Sequence, residues 1–337
     1  MRDYLLYPGC SMEYSARAYQ DSLSAISETL GLQLTEIEDW NCCGATEYLG
    51  VSVTPAYALI ARNLALAAEM DPGKGRELVA PCSACYLNLV KADHNMHEEP
   101  GLERRVNEAL AAGKLHYDPG SLSIRHLLDV VVNDVGLAEV ERHVVQPLTG
   151  LRLVPYVGCM VPRPDYNGRI SDHDRPTELD DLLRVLGADV VDYPLKTECC
   201  GGHMPQIGPE MGFELIRRLI AEADQLEGDA MVTLCPMCQL NLDAYQGEMN
   251  QFFNTKYHMP VLFFTQLMGL AFGLDAKSLG FGLELVSARN VLEALGVKPP
   301  VDTPPAPPKR PRKPEGLPMP APLPRLVEPH SAKEVVR

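Results

Sequence analysis

The sequence lacks any run of about 18 consecutive apolar residues, the length that a membrane-spanning helix requires. Its start, Met1 to Tyr4, leads into a short apolar run without the hydrophobic segment of a signal peptide. We therefore expect a cytoplasmic protein with no direct membrane span.

Positive charge is scarce. The chain carries 30 Lys and Arg against 45 Asp and Glu, a formal net charge of -15. Such an acidic chain repels phosphate backbones and anionic lipid surfaces unless a local basic patch reverses the sign. Nucleic acid is therefore not an expected partner.

Cysteine, in contrast, is abundant. The chain has ten cysteines in 337 residues, a length that favours two domains, each able to bury its own core. Disulfide frameworks belong to small secreted domains, and this sequence is long and has no export signal. A metal-binding or redox role is favoured instead.

Three cysteine-containing blocks occur twice, in the same order and with a period near 150 residues. The matched blocks are Tyr4–Cys10 (YLLYPGC) with Leu153–Cys159 (LVPYVGC), Asp39–Gly44 (DWNCCG) with Thr197–Gly202 (TECCGG), and Val79–Leu89 (VAPCSACYLNL) with Val232–Leu242 (VTLCPMCQLNL). The chain is therefore an internal duplication.

Every cysteine falls inside these blocks, five in each half: Cys10, Cys42, Cys43, Cys82 and Cys85, then Cys159, Cys199, Cys200, Cys235 and Cys238. The spacings are C-x31-CC-x38-C-x2-C in the first half and C-x39-CC-x34-C-x2-C in the second. The two sets are therefore expected at corresponding positions of two similar domains.

Short apolar runs precede the cysteines and predict buried strands of a parallel sheet: Tyr4–Tyr7, Arg76–Val79, Leu151–Val157 and Met231–Leu234. Helical patterns lie between them, at Ala56–Met70, Thr177–Leu186 and Met211–Leu226. A strand and a short helix close each repeat, at Ser123–Gly136 and Pro260–Gly273. We predict an α/β protein of two tandem Rossmann-like domains, with the cysteines beyond the strand ends, where ligands of such sheets gather.

Five cysteines exceed the four ligands of a tetrahedral zinc site. Adjacent cysteines such as Cys42 and Cys43 cannot easily bind one small ion together, but they can reach different irons of a wider cluster, and thiolates are its expected ligands. Iron–sulfur clusters are favoured. Two structural zinc sites, one zinc with one cluster, and a thioredoxin-like pair at each C-x2-C motif remain alternatives.

Polar residues near the second adjacent pair are candidates for orienting a substrate or a proton donor: Lys196, Glu198 and His203. His203 is the first of these to test as a catalytic residue, because imidazole exchanges protons near neutral pH. Most such residues are solvated or structural, so each is weighed against that simpler interpretation.

These motifs resemble the CCG-domain (cysteine-rich domain) family, most closely the B subunits of heterodisulfide reductases. The likeness covers about residues 1 to 298 and includes the closing stretch Gly273–Gly296. It implies that each set of five cysteines holds one noncubane [4Fe-4S] cluster. It further implies that the clusters face each other, with a disulfide between them that is reduced, or formed, in two one-electron steps.

The resemblance also implies partners, namely a ferredoxin-type iron–sulfur subunit, a flavin subunit and a small disulfide or thiol substrate. The ferredoxin run C-x2-C-x2-C-x3-C is absent from this chain, so electrons are expected from another subunit. An electron-transfer or anchoring subunit of a succinate, glycolate or lactate oxidising complex is the main alternative. A zinc-stabilised scaffold is a third.

The composition changes near the end of the chain, where 13 of the last 39 residues are proline. We predict domains at residues 1–149 and 150–298, followed by a disordered tail at 299–337. A polyproline arm that docks on a partner subunit is the alternative for this tail.

Overall fold

The computed structural model describes residues 2–45, 48–71, 73, 75–164, 166 and 172–300. The predicted proline-rich tail lies outside the described residues except for Pro299 and Pro300.

Two four-stranded sheets, each entirely parallel, form the frame of the described chain. Their strand orders are β2-β1-β3-β4 and β6-β5-β7-β8, the same order in both repeats. The strands are β1 Arg2–Leu6, β2 Leu32–Glu36, β3 Leu78–Ala80, β4 Ile124–His126, β5 Arg152–Tyr156, β6 Asp189–Val190, β7 Ala230–Thr233 and β8 Val261–Phe263.

The predicted strands are confirmed where the sequence is apolar. In β3 and β7 every residue is buried, because helices cover both faces of a parallel sheet. The edge strands β2 and β6 were not predicted, since β2 alternates with polar residues and β6 has two residues.

Helices connect the strands: α1 Cys10–Glu13, α2 Arg17–Leu30, α3 Tyr48–Val51, α4 Val53–Met70, α5 Ser83–Glu98, α6 Pro100–Ala111, α7 Leu127–Asp129, α8 Leu137–Arg142, α9 Glu178–Val185, α10 Met204–Ile207, α11 Pro209–Gln225, α12 Pro236–Ala244, α13 Gln246–Phe253, α14 Phe264–Ala271 and α15 Arg289–Ala294. A π-helical segment, Val130–Gly136, joins α7 to α8. The three predicted helices correspond to α4, α9 and α11 and differ from them by at most three residues at either end.

The two repeats pack against each other through α2 of the first and α14 of the second. The Tyr19 ring stacks on Phe263, with centroids 4.3 Å apart, and the Ser22 and Thr265 hydroxyls are hydrogen bonded at 2.6 Å. Both apolar cores contain residues of both repeats, so the repeats share their interior.

The duplicated α/β architecture is thus confirmed. The domain boundary between residues 149 and 150 stays a prediction. In the part of the chain that the structure describes, no helix is both long enough and apolar enough to span a bilayer.

Candidate metal centre

Four of the ten cysteines follow closely on the central strands of the two sheets. Cys10 begins α1 just after β1, and Cys159 lies three residues after the end of β5. Cys82 and Cys235 are the residues immediately before α5 and α12, after β3 and β7. Because parallel strands end at one edge of a sheet, each repeat gathers its cysteines there.

The five sulfurs of the first repeat, which we call the first nest, lie in a continuous chain. Cys10 Sγ is 3.5 Å from Cys42 Sγ, and Cys43 Sγ is 3.5 Å from Cys85 Sγ. Cys42 is within hydrogen-bonding reach of Cys43, and Cys85 of Cys82. All ten cysteines of the protein are free thiols.

The second nest repeats this chain with the matching residues. Cys199 contacts Cys159 and Cys200, while Cys238 contacts Cys200 and Cys235. The order of contacts is the same as in the first nest, as the duplicated spacing predicts.

The two nests meet at one point, where the Cys82 and Cys235 thiols lie within hydrogen-bonding reach of each other. This contact is fully enclosed, since both side chains are buried. The opposite ends of the nests face outward. Cys10, Cys42 and Cys199 are exposed there.

The exposed end of the first nest opens into a cleft of about 520 Å³. Cys10, Cys42 and the Trp40 ring line it, together with four acidic residues: Glu13, Glu36, Glu38 and Asp39. The first nest is therefore open to solvent on this side, whereas the contact between the nests is closed.

In each nest a glycine stands against the sulfur of the cysteine that comes last in the sequence. Gly9 has φ +76°, and a Cβ there would lie 2.8 Å from Cys85 Sγ. Gly158 has φ +73°, and a Cβ there would lie 3.3 Å from Cys238 Sγ. The absent side chains let the backbone approach the sulfurs closely.

A tyrosine and an asparagine fix the adjacent cysteine pair in each repeat. Tyr7 donates its hydroxyl to the Asn41 carbonyl at 2.8 Å, and Tyr156 donates to the Glu198 carbonyl at 2.7 Å. Both acceptors immediately precede a Cys-Cys pair.

Asn88 approaches Cys43 Sγ at 3.6 Å through Nδ2, and Asn241 approaches Cys200 Sγ at 3.5 Å. Each amide also donates to a backbone carbonyl of the loop that carries the adjacent cysteine pair. Sequence reasoning assigned no role to these asparagines, although both lie inside the matched blocks.

The family model of the cysteine-rich domain, CCG, matches residues 4–90 and 154–243, which carry both nests. The chain belongs to the CCG family. The matched residues carry all ten cysteines and three strands of each sheet in whole or in part, whereas β4 and β8 lie outside them.

Curated relatives of this CCG protein are subunits of redox complexes. It is 32% identical over 290 residues to the 8-methylmenaquinol:fumarate reductase membrane anchor subunit of Wolinella succinogenes, covering 86% of this chain and 99% of that one. It is 30% identical over 282 residues to a protein of Archaeoglobus profundus that is named as similar to the heterodisulfide reductase B subunit, covering 82% and 93%.

A third relative is the B subunit of the ferredoxin/F(420)H(2)-dependent CoB-CoM heterodisulfide reductase of Methanosarcina acetivorans. It is 26% identical over 283 residues, which cover 82% of this chain and 91% of that protein. These relatives support a redox role as a subunit of a complex, and they suggest iron–sulfur clusters as cofactors.

Among solved structures, a hypothetical protein from Helicobacter pylori shares the fold, with a TM-score of 0.66 at 15% identity over 85% of this chain. This chain spans 52% of the length of that protein.

Within each CCG repeat, the first cysteine of the adjacent pair is a strong thiolate. Hydrogen bonds from Cys10 and Cys43 lower the pKa of Cys42 to about 2, and those from Cys159 and Cys200 do the same for Cys199. The pKa of Cys10 is raised, mainly by its hydrogen bond to Cys42. The first nest thus stabilises negative charge at Cys42, whereas in the second nest hydrogen bonds from Cys238 and Cys82 also hold the pKa of Cys235 well below its ordinary value.

The donor set of each nest fits a polynuclear iron–sulfur group. Five sulfurs line an elongated chain, and a glycine leaves room beside the fourth of them. Among the described residues, no group of three or more His, Cys, Asp or Glu side chains has the geometry of a site for a single metal ion.

The three polar candidates near the second nest have different settings. Lys196 is buried, and its Nζ bonds Asp180 Oδ1 at 2.5 Å, as expected of a structural ion pair. The Glu198 side chain is exposed, while its backbone carbonyl accepts the hydrogen bond from the Tyr156 hydroxyl. His203 is half-buried and immediately precedes α10, and its catalytic role stays a prediction.

Proposed function

We propose that this chain is the iron–sulfur catalytic subunit of a heterodisulfide-reductase-like complex. It would reduce, or in the reverse direction form, a disulfide with two noncubane [4Fe-4S] clusters. One observation carries the proposal: both sulfur nests are complete, and they touch at Cys82 and Cys235. The similarity to two proteins named after the heterodisulfide reductase B subunit supports it.

In the first nest the ligands would be Cys10, Cys42, Cys43, Cys82 and Cys85, and in the second Cys159, Cys199, Cys200, Cys235 and Cys238. Reduction of a disulfide consumes two electrons and two protons and releases two thiols. When bound, the clusters would supply the two electrons, one each.

The protein itself would contribute two different environments. The exposed ends at Cys10 and Cys199 give a small disulfide access to each nest. The buried contact between Cys82 and Cys235 excludes water from the shortest path between the nests. A disulfide would thus approach from the exposed ends, which modifies the expectation that it fits between the two sets of cysteines.

Two further assignments belong to this proposal. The electrons would come from a ferredoxin-type iron–sulfur subunit and, through it, from a flavin subunit, because this chain has no ferredoxin motif. His203 lies three residues after Cys200 and is the residue that we propose to deliver a proton to the departing thiolate.

The test uses the anaerobically purified full chain, a reduced one-electron dye and a panel of small disulfides. We expect dye oxidation coupled to release of two thiols per disulfide, and a new EPR signal when the thiol product is added to the oxidised protein. His203→Gln should lower turnover about tenfold or more and alter its pH profile. A loaded protein that accepts electrons but releases no thiol contradicts the proposal.

A second function is favoured by the 32% identity to a fumarate reductase membrane anchor subunit. In that case the same nests would pass electrons between partner subunits without touching a disulfide. The two functions differ in one result, because an electron-transfer subunit gives no thiol-dependent EPR signal.

A further inference from the structure

A buried histidine outside the nests has one ring nitrogen in a hydrogen bond and one ring nitrogen without a hydrogen-bond partner. His126 ends β4, precedes α7 and is 2% exposed. Its Nδ1 accepts the Leu128 backbone N–H at 3.1 Å. An accepting Nδ1 carries no proton, so the neutral ring holds its proton on Nε2.

The Nε2–H donor points to the boundary between the repeats. The carbonyls of Pro81 and Leu234 lie near the imidazole and favour its protonated form. These two residues immediately precede Cys82 and Cys235. Neither completes a hydrogen bond, because Nε2 is a buried polar atom without a partner. The negative charge of the Cys235 thiolate also favours the protonated ring. A buried donor in this state destabilises the protein until it finds an acceptor.

The second repeat offers no such donor at the matching position. Phe263 ends β8 and precedes α14, as His126 ends β4 and precedes α7. Its ring is fully buried against Tyr19 of the first repeat. Phenylalanine has no N–H group, so the duplication is broken at one position beside the contact between the nests.

We propose that His126 is a positioning residue that donates its Nε2–H to the Cys235 thiolate in the cluster-loaded protein. This rests on the proposed function, because it requires a cluster in the second nest. A hydrogen bond to a ligating sulfur withdraws electron density and raises the reduction potential. The second cluster would therefore have the higher potential and take the first of the two electrons.

The experiment is an EPR-monitored redox titration of the full chain, with iron and sulfide measured for each sample. His126→Phe installs the residue of the matching position and removes the donor, whereas His126→Gln keeps an N–H donor. His143→Phe is the matched control, because His143 lies in the same repeat and its Nδ1 bonds the Glu139 carbonyl.

For His126→Phe we expect one of the two signals to become about tenfold harder to reduce, which is about 59 mV for a one-electron step. The other signal should keep its potential, and His126→Gln and His143→Phe should leave both potentials unchanged.

Unchanged potentials in a fully loaded His126→Phe protein, or equal shifts of both signals, overturn the proposal. If the Phe variant loses iron, His126→Leu, which also lacks the donor, takes its place: a lowered potential of one signal supports the donor role and unchanged potentials contradict it. Failure of the proposed function is distinct, since it shows in the wild-type protein, either as a lack of iron and sulfide or as loaded protein that releases no thiol from a disulfide.

Discussion

Cys82 and Cys235, one from each repeat, place their thiols within hydrogen-bonding reach of each other in the buried interior. Each follows a central strand and precedes a helix, so the same local structure supplies both sulfurs. The contact connects two nests that are otherwise separate, and it makes the ten sulfurs one continuous path.

The glycine beside Cys85 Sγ in the first nest should not tolerate a side chain. Gly9→Ala adds a Cβ 2.8 Å from Cys85 Sγ at a positive φ, so we expect a loss of more than about 2 kcal/mol of unfolding free energy. Gly31→Ala is the control, because its φ of +64° is similar and nothing lies within 4 Å.

Urea unfolding of the anaerobic protein measures both variants. The control should lose only about 1–2 kcal/mol of unfolding free energy, because alanine is strained in a left-handed backbone conformation, and it should keep its iron. Gly158→Ala should fall between the two, since its Cβ would lie 3.3 Å from Cys238 Sγ. Equal losses for Gly9→Ala and Gly31→Ala would show that the sulfur does not limit the space.

The asparagine amides should hold each nest independently. Asn88→Ala removes the donor to Cys43 and its loop, so we expect about half of the iron to be lost and about 1–3 kcal/mol of stability. Asn241→Ala should do the same in the other nest. Asn250→Ala, which breaks a bond to the Tyr257 carbonyl, should lower stability without loss of iron. Iron loss in all three variants would mean a general structural effect.

Lys196 should matter for stability rather than for turnover. Lys196→Met removes the close ion pair of the buried Asp180 carboxylate and leaves it the Arg184 guanidinium at 4.0 Å, at a cost of up to about 3–5 kcal/mol. Lys196→Met combined with Asp180→Leu should recover most of this stability. Thermal unfolding and disulfide turnover are the two measurements. A turnover defect in the stable double variant would contradict this prediction and show that Lys196 takes part in the reaction.

The thiols of the cluster-free protein should differ in their pH dependence. Hydrogen bonds from neighbouring thiols lower the pKa of Cys42, whereas the pKa of Cys10 is raised, so Cys42 stays a thiolate as the pH falls. Alkylation mapped by mass spectrometry at about pH 6, below the ordinary thiol pKa, should therefore label Cys42 faster than Cys10. Both are exposed, so access does not decide the result. Equal rates would contradict the asymmetry.

The sequence predicted the fold and the nests because both depend on local patterns. Apolar runs defined β3 and β7, and the duplicated spacing placed five cysteines at the end of each sheet. The edge strand β6 was missed, because two residues carry too little pattern.

Features that depend on how the repeats pack were not predictable. The contact between Cys82 and Cys235 requires the packing of α2 on α14, and no spacing encodes it. The pairing of Lys196 with Asp180 and the burial of His126 likewise depend on tertiary structure. Asn88 and Asn241 were visible as matched letters, but only the fold shows that their amides reach a sulfur.

Metal and sulfide analysis of the anaerobically purified full chain tests most directly whether the two nests hold two iron–sulfur clusters. We expect about eight irons and about eight acid-labile sulfides per chain, with no zinc. Zinc without sulfide, or about four irons with one zinc, would contradict two matching clusters.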